Sequence, residues 1–129
     1  MDTDLACLLI EHSESEDEIL DILKRTGYYS NACELVIRSL KSEDEIIALM
    51  EKTDYHWSIC NLGIPFLNLE KKSEDEIIII MGKTGYNWRI CQAGISLLKS
   101  ENEILAIMGK TGYDSDVCQV GIDILKNLK

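Results

Sequence analysis

The chain writes the same sentence four times. Ser-Glu-Asp-Glu stands at 15–18, 42–45 and 73–76, and Ser-Glu-Asn-Glu at 100–103, giving spacings of 27, 31 and 27 residues. Each copy continues with Lys or Arg, Thr, Gly or Asp, and Tyr, at 25–28, 52–55, 83–86 and 110–113. A cysteine follows five residues after each tyrosine: Cys33, Cys60, Cys91 and Cys118. Three copies then carry Gly-Ile (63–64, 94–95, 121–122) where the first has Val36-Ile37. A repeat this short cannot bury its own apolar face, so each unit must pack on its neighbours. That narrows the fold more than any other feature of the sequence.

Each unit reads as two helices. Serine at the start with Glu three residues later is the capping-box pattern, repeated at Ser15/Glu18, Ser42/Glu45, Ser73/Glu76 and Ser100/Glu103. Acids in that first turn suit the positive end of the helix dipole, and Arg25, Lys52, Lys83 and Lys110 suit the negative end. Gly27, Gly85 and Gly112 stop the first helix, because glycine takes the left-handed conformation without strain; Asp54 fills the same place less well. Asn87 and Asp114 are predicted N-caps of the second helix. That helix then repeats apolar residues at three- and four-residue steps, as in Ile90, Cys91, Gly94, Ile95, Leu97 and Leu98.

One stretch invites another reading. Residues 77–86, IIIIMGKTGY, bring a β-branched run to Gly-Lys-Thr, as a strand enters a phosphate loop. The first glycine of such a loop falls at Ile77 here, and at Ile104 in the second copy. The aligned segments carry helix formers and a helix cap. Gly-Lys-Thr is therefore the carbonyl end of a helix, which repels phosphate.

Two irregularities stand out. The second unit has four extra residues, 69–72, and contains the single proline, Pro65, which is expected to kink or end its second helix. The N-terminus is half a unit, with Ala6 in the cysteine column and Ile10 in the column of Ile37, so residues 4–12 are predicted to form a lone second helix. Helical hairpins in series resemble the TPR, HEAT and armadillo class at the level of architecture, without the signature residues of those families. The resemblance implies an all-α, right-handed α-solenoid. Its parts are a half repeat (1–14) and repeats at 15–41, 42–72, 73–99 and 100–129, forming one helical-repeat domain.

Composition limits the partners. Acidic residues outnumber basic ones 23 to 13, for a net charge of −10. Nucleic acid is disfavoured, since phosphates need clustered Lys and Arg. No stretch approaches the ~20 apolar residues of a membrane helix. The N-terminus lacks the basic start of a signal peptide. Five cysteines without a CxxC pair read as reduced thiols in the cytoplasm.

Catalytic chemistry finds no constellation. The cysteines sit one per unit, about 10 Å apart if units stack at helix-packing distance, whereas thiols sharing a zinc lie about 4 Å apart. A buried small-residue ladder is the reading adopted, with no metal and no cofactor. Thr26, Thr53, Thr84 and Thr111 and the four repeat tyrosines are assigned to the turn. His12 and His56 have no nucleophile or acid beside them in the pattern, and His56 is read as a solvent-exposed turn residue.

What varies is the stretch after each tyrosine. It contains Tyr29, His56 with Trp57, and Trp88 with Arg89. Trp and Arg are enriched at binding hot spots. These five are the candidate binding residues, with Trp57 and Trp88 in one column, either as an exposed aromatic ridge or folded back on the turn. The expected function is a non-catalytic protein-interaction scaffold for a protein or peptide partner, with a basic one favoured by charge. An acidic nucleic-acid mimic and a self-assembling structural protein are the alternatives.

Overall fold

A computed structural model describes residues 2–128. Among them there are nine α-helices and no strand. They are α1 (Thr3–Glu11), α2 (Glu16–Arg25), α3 (Ser30–Ser39), α4 (Glu43–Lys52), α5 (Trp57–Gly63), α6 (Glu74–Lys83), α7 (Trp88–Ile95), α8 (Glu101–Lys110) and α9 (Ser115–Asn127). The Gly-Lys-Thr sites end α6 and α8, so no strand precedes them. No described helix is long and apolar enough to cross a membrane.

The helices divide into two compact units, Met1–Leu67 and Asn68–Lys129. The division falls in the irregular stretch of the second repeat. There α5 stops at Gly63, and Pro65 lies in a 3-10 turn, Ile64–Leu67. Asn68 is left-handed (φ 51°) and opens a second 3-10 turn, Leu69–Lys71. Proline lacks the N–H that a longer α5 would need at that point.

In the first unit α1 packs on α3 and α3 on α5, while α2 lies against α1 and α3 and α4 against α5. Ala6, Cys33 and Cys60, one on each of α1, α3 and α5, are completely buried. Small side chains at these positions let the second helices of successive repeats approach closely. In the second unit α7 packs on α9, with α6 and α8 against them.

Glycine in the Gly-Ile column has a packing cause. A Cβ on Gly94 would stand 2.4 Å from the Met81 methyl and 3.0 Å from Ile77 Cγ2. Gly63 meets Met50 in the same way and Gly121 meets Met108. In the first repeat the same two columns hold Val36 and Leu23, both buried. Where the first helix sends an unbranched Met across, the facing position is Gly; where it carries the shorter, branched Leu23, that position can hold Val36, as interdigitated packing requires.

The helix starts depart from expectation. The reciprocal capping box is complete only at Ser73/Glu76. Ser15 and Ser42 accept from the Glu18 and Glu45 N–H groups, but those glutamates turn elsewhere, Glu18 to the Ser13 hydroxyl and Glu45 to the Lys41 N–H. Ser100 makes no side-chain cap bond. Its own N–H donates to the Glu74 carboxylate at 3.0 Å, a bond that joins the starts of α6 and α8. α7 is also shorter than its apolar spacing suggests, because Leu97 and Leu98 follow it in single turns closed on Gly94 and Ile95.

Candidate functional site

In each unit the variable residues follow two copies of one turn, and all four copies are built alike. In the first, the Tyr28 N–H donates to Leu23 C=O at 2.8 Å and the Gly27 N–H to Lys24 C=O at 3.1 Å. This pair of bonds is the Schellman motif. Tyr55, Tyr86 and Tyr113 repeat it with Met50, Met81 and Met108. The threonine before each turn donates its hydroxyl to a carbonyl of the preceding turn, as Thr84 does to Ile80 and Met81. The tyrosines are left-handed as well, with φ of 57°, 53°, 54° and 57°. For a bulky residue this is a strained conformation. In α6 and α8 the phenol lies back over the last turn, 3.5 Å from where a Cβ of Gly82 or Gly109 would stand.

In three of the repeats the second helix then begins on a side-chain cap. Asn87 accepts from the Arg89 N–H two residues on, and Asp114 from the Asp116 and Val117 N–H groups two and three residues on. His56 does the same through Nδ1, at 3.2 Å from the Ser58 nitrogen. His56 is thus half-buried rather than a loose turn residue. Its ring stacks on Tyr28 at 3.8 Å between centroids and lies 5.8 Å from Trp57. Burial, and then the Cys33 thiol, hold the Tyr28 phenol above its ordinary value.

The five candidate residues separate into three settings. Trp57 is 55% exposed beside His56, in the first unit. Tyr29 is 40% exposed and precedes α3 without a side-chain cap bond. Trp88 and Arg89 are half-buried in the second unit, with the guanidinium carbon 4.4 Å from the Trp88 ring centre. Residues absent from the sequence-based set also belong to the edge. Tyr28 supports His56; the Lys110 ammonium bonds the Tyr86 hydroxyl at 3.1 Å and sits 4.9 Å from its ring centre; Tyr113 is 72% exposed.

The cysteines offer no reactive group on this edge. Cys33, Cys60 and Cys91 are buried, and Cys7 and Cys118 half-buried, none of them in a disulfide. Burial pushes the Cys33 thiol up to about 11 and that of Cys91 to about 12. Among the described residues no three His, Cys, Asp or Glu side chains gather closely enough to hold a metal ion.

A second feature lies in the first unit. A concavity of about 440 Å³ opens between α2 and α4, with the last turn of α3 beneath it. Ile19, Leu20, Val36, Leu40, Ala48 and Leu49 provide its apolar lining. Glu14, Glu16, Glu45 and Lys52 line it as well, and the Lys52 ammonium pairs with Glu16 at 2.7 Å. Leu40 is half-buried here, whereas Leu98, its counterpart in the third repeat, is only 2% exposed.

The chain matches no protein-family model, no curated protein and no solved structure.

Proposed function

We propose that the protein is a non-catalytic protein-interaction scaffold. Its repeats form a right-handed α-solenoid of four helical hairpins behind an N-terminal half repeat, as the row α1, α3, α5 in the first unit and the α7–α9 pair in the second suggest. The observation that carries the reading is Trp57. An aromatic side chain that is 55% exposed rests beside His56, and His56 is fixed by its stack on Tyr28 and by its cap bond. A held, open aromatic is the usual anchor of a binding hot spot. Tyr29, Trp88 and Arg89 extend the binding edge within their own units. With a net charge of −10, a basic protein or peptide is the favoured partner and nucleic acid is disfavoured. Five cysteines, none of them in a disulfide, favour the cytoplasm.

The test is a quantitative pull-down comparing wild type, Trp57→Ala and Trp57→Ala/Trp88→Ala. Partners that drop out with the variants support the edge, and equal recovery removes it. Salt-sensitive capture of the wild type by immobilised DNA or RNA would overturn the scaffold reading itself.

Self-association is the second reading. Leu5, Leu8 and Leu9 are all exposed on α1 and fall on one side of that helix. A second copy laid against them would cover the apolar surface. Light scattering over a concentration series, with Leu8→Glu as the control, separates monomer from dimer.

A further inference from the structure

We infer that the groove between α2 and α4 is a peptide site separate from the turn edge, and that it takes a short segment bearing bulky aliphatic side chains flanked by Lys or Arg. The inference rests on the scaffold reading only in requiring a peptide partner.

Shape comes first. The concavity, about 440 Å³, lies within the ~300–1,000 Å³ range of ligand clefts. It exists because the second helices α1, α3 and α5 stack closely on small residues while α2 and α4 stand in a separate layer on top of them. The end of α3 is left as a floor, with Val36 and Leu40 uppermost, and Ile19, Leu20, Ala48 and Leu49 form the walls. Four of these six, Ile19, Leu20, Leu40 and Ala48, are only half-buried. They can lose more water to an apolar side chain seated between them.

Charge selects the flanks. Three carboxylates, Glu14, Glu16 and Glu45, border the groove against one ammonium, Lys52, and that ammonium is paired with Glu16. The rim is net negative, so a cationic segment is drawn in and an anionic one repelled. The corresponding place in the second unit is furnished differently. Glu74 there accepts from the Lys99 and Ser100 N–H groups, Lys110 bonds Tyr86, and Leu98 is buried. The site is therefore assigned to the first unit alone.

Fluorescence anisotropy of the full chain with a labelled probe peptide, Lys-Leu-Leu-Arg-Lys-Leu-Gly, tests this. The probe is expected to bind, and its analogue with serine for each leucine to bind at least about tenfold more weakly. Ala48→Phe and Ser39→Phe, which fill the groove from a half-buried and an exposed position, should each weaken the probe by a similar factor. Glu14→Lys should weaken it about threefold at low salt, with the difference closing as salt rises. Trp57→Ala should leave it unchanged. The inference is overturned if wild type does not bind the probe. It also fails if the serine analogue or a glutamate-flanked analogue binds equally, or if both phenylalanine variants melt normally and bind as wild type does. Loss of the probe in Trp57→Ala with retention in Ala48→Phe would move the peptide site to the turn edge, leaving the scaffold standing and the groove refuted.

Discussion

Asp54 occupies the left-handed place that Gly27, Gly85 and Gly112 fill in the other repeats, at a φ of 53°. A side chain in that conformation costs energy that glycine does not. Asp54→Gly is expected to raise stability by about 1 kcal/mol, or roughly 4 °C in melting temperature. Gly82 presents the opposite case. It lies inside α6, where a methyl would meet the Tyr86 phenol at an ordinary 3.5 Å. Gly82→Ala should therefore stabilise by roughly 0.5–1 kcal/mol, while Gly85→Ala, at φ 63°, should destabilise. Thermal melts of the three variants decide both points. The turn glycines were legible because glycine takes the left-handed conformation without strain. The left-handed tyrosines behind them were not, because no propensity announces a bulky residue in a strained conformation. The cysteines give a further residue-scale prediction. Iodoacetamide at neutral pH should label half-buried Cys7 and Cys118 well before Cys33, Cys60 and Cys91. Mass spectrometry after timed quenching reads the order. Because the Cys33 and Cys91 thiols are raised in the fold, their contribution is complete below their ordinary value of 9.0. It is lost as pH climbs through about 11 and 12, so stability should fall on the alkaline side.

Helix starts that look identical in sequence differ in structure, and the difference can be measured. Ser73 holds a complete capping box, whereas Ser100 makes no side-chain cap bond. Ser73→Ala should cost about 1 kcal/mol and Ser100→Ala close to nothing. Bonds from Ser73 hold the Glu76 carboxyl below its ordinary value of 4.5. Its contribution is thus present above 4.5 and disappears as pH falls through the lower folded value. The Ser73→Ala melt should accordingly approach wild type in acid. The helix pairs make a second prediction. Gly94→Val drives a branched side chain into Met81 and Ile77 and should destabilise by about 2–3 kcal/mol. Adding Met81→Leu reproduces the Leu23/Val36 arrangement of the first repeat and should restore at least about 1 kcal/mol of that loss in a double-mutant cycle. Helix order and caps could be read from the repeat, since capping and periodicity are local. The bond at the start of α8 could not, because the Ser100 N–H finds its acceptor in Glu74, which stands almost a whole repeat away.

Across the molecule, the repeat anticipated the nine helices found among the described residues, though α7 ends before Leu97 and Leu98, and the irregular stretch at Pro65 and residues 69–72 coincides with the division into two compact units. The candidate edge was only half legible. Variation after each tyrosine located Trp57, Trp88 and their neighbours, but exposed Trp57 and half-buried Trp88 occupy one column, and their difference lies in what each repeat sets beside the ring. The groove left no trace in the pattern, because it comes from the spacing of α2 and α4 over α3 rather than from any single residue type. The scaffold claim meets its most direct test at the open aromatic. A photo-crosslinking phenylalanine analogue placed at position 57, illuminated in cell lysate and read by mass spectrometry, should capture a small, reproducible set of proteins. The same probe at Asp17, exposed on the first turn of α2, should not capture them. Identical products from both positions, or products that are chiefly nucleic acid, would contradict the account.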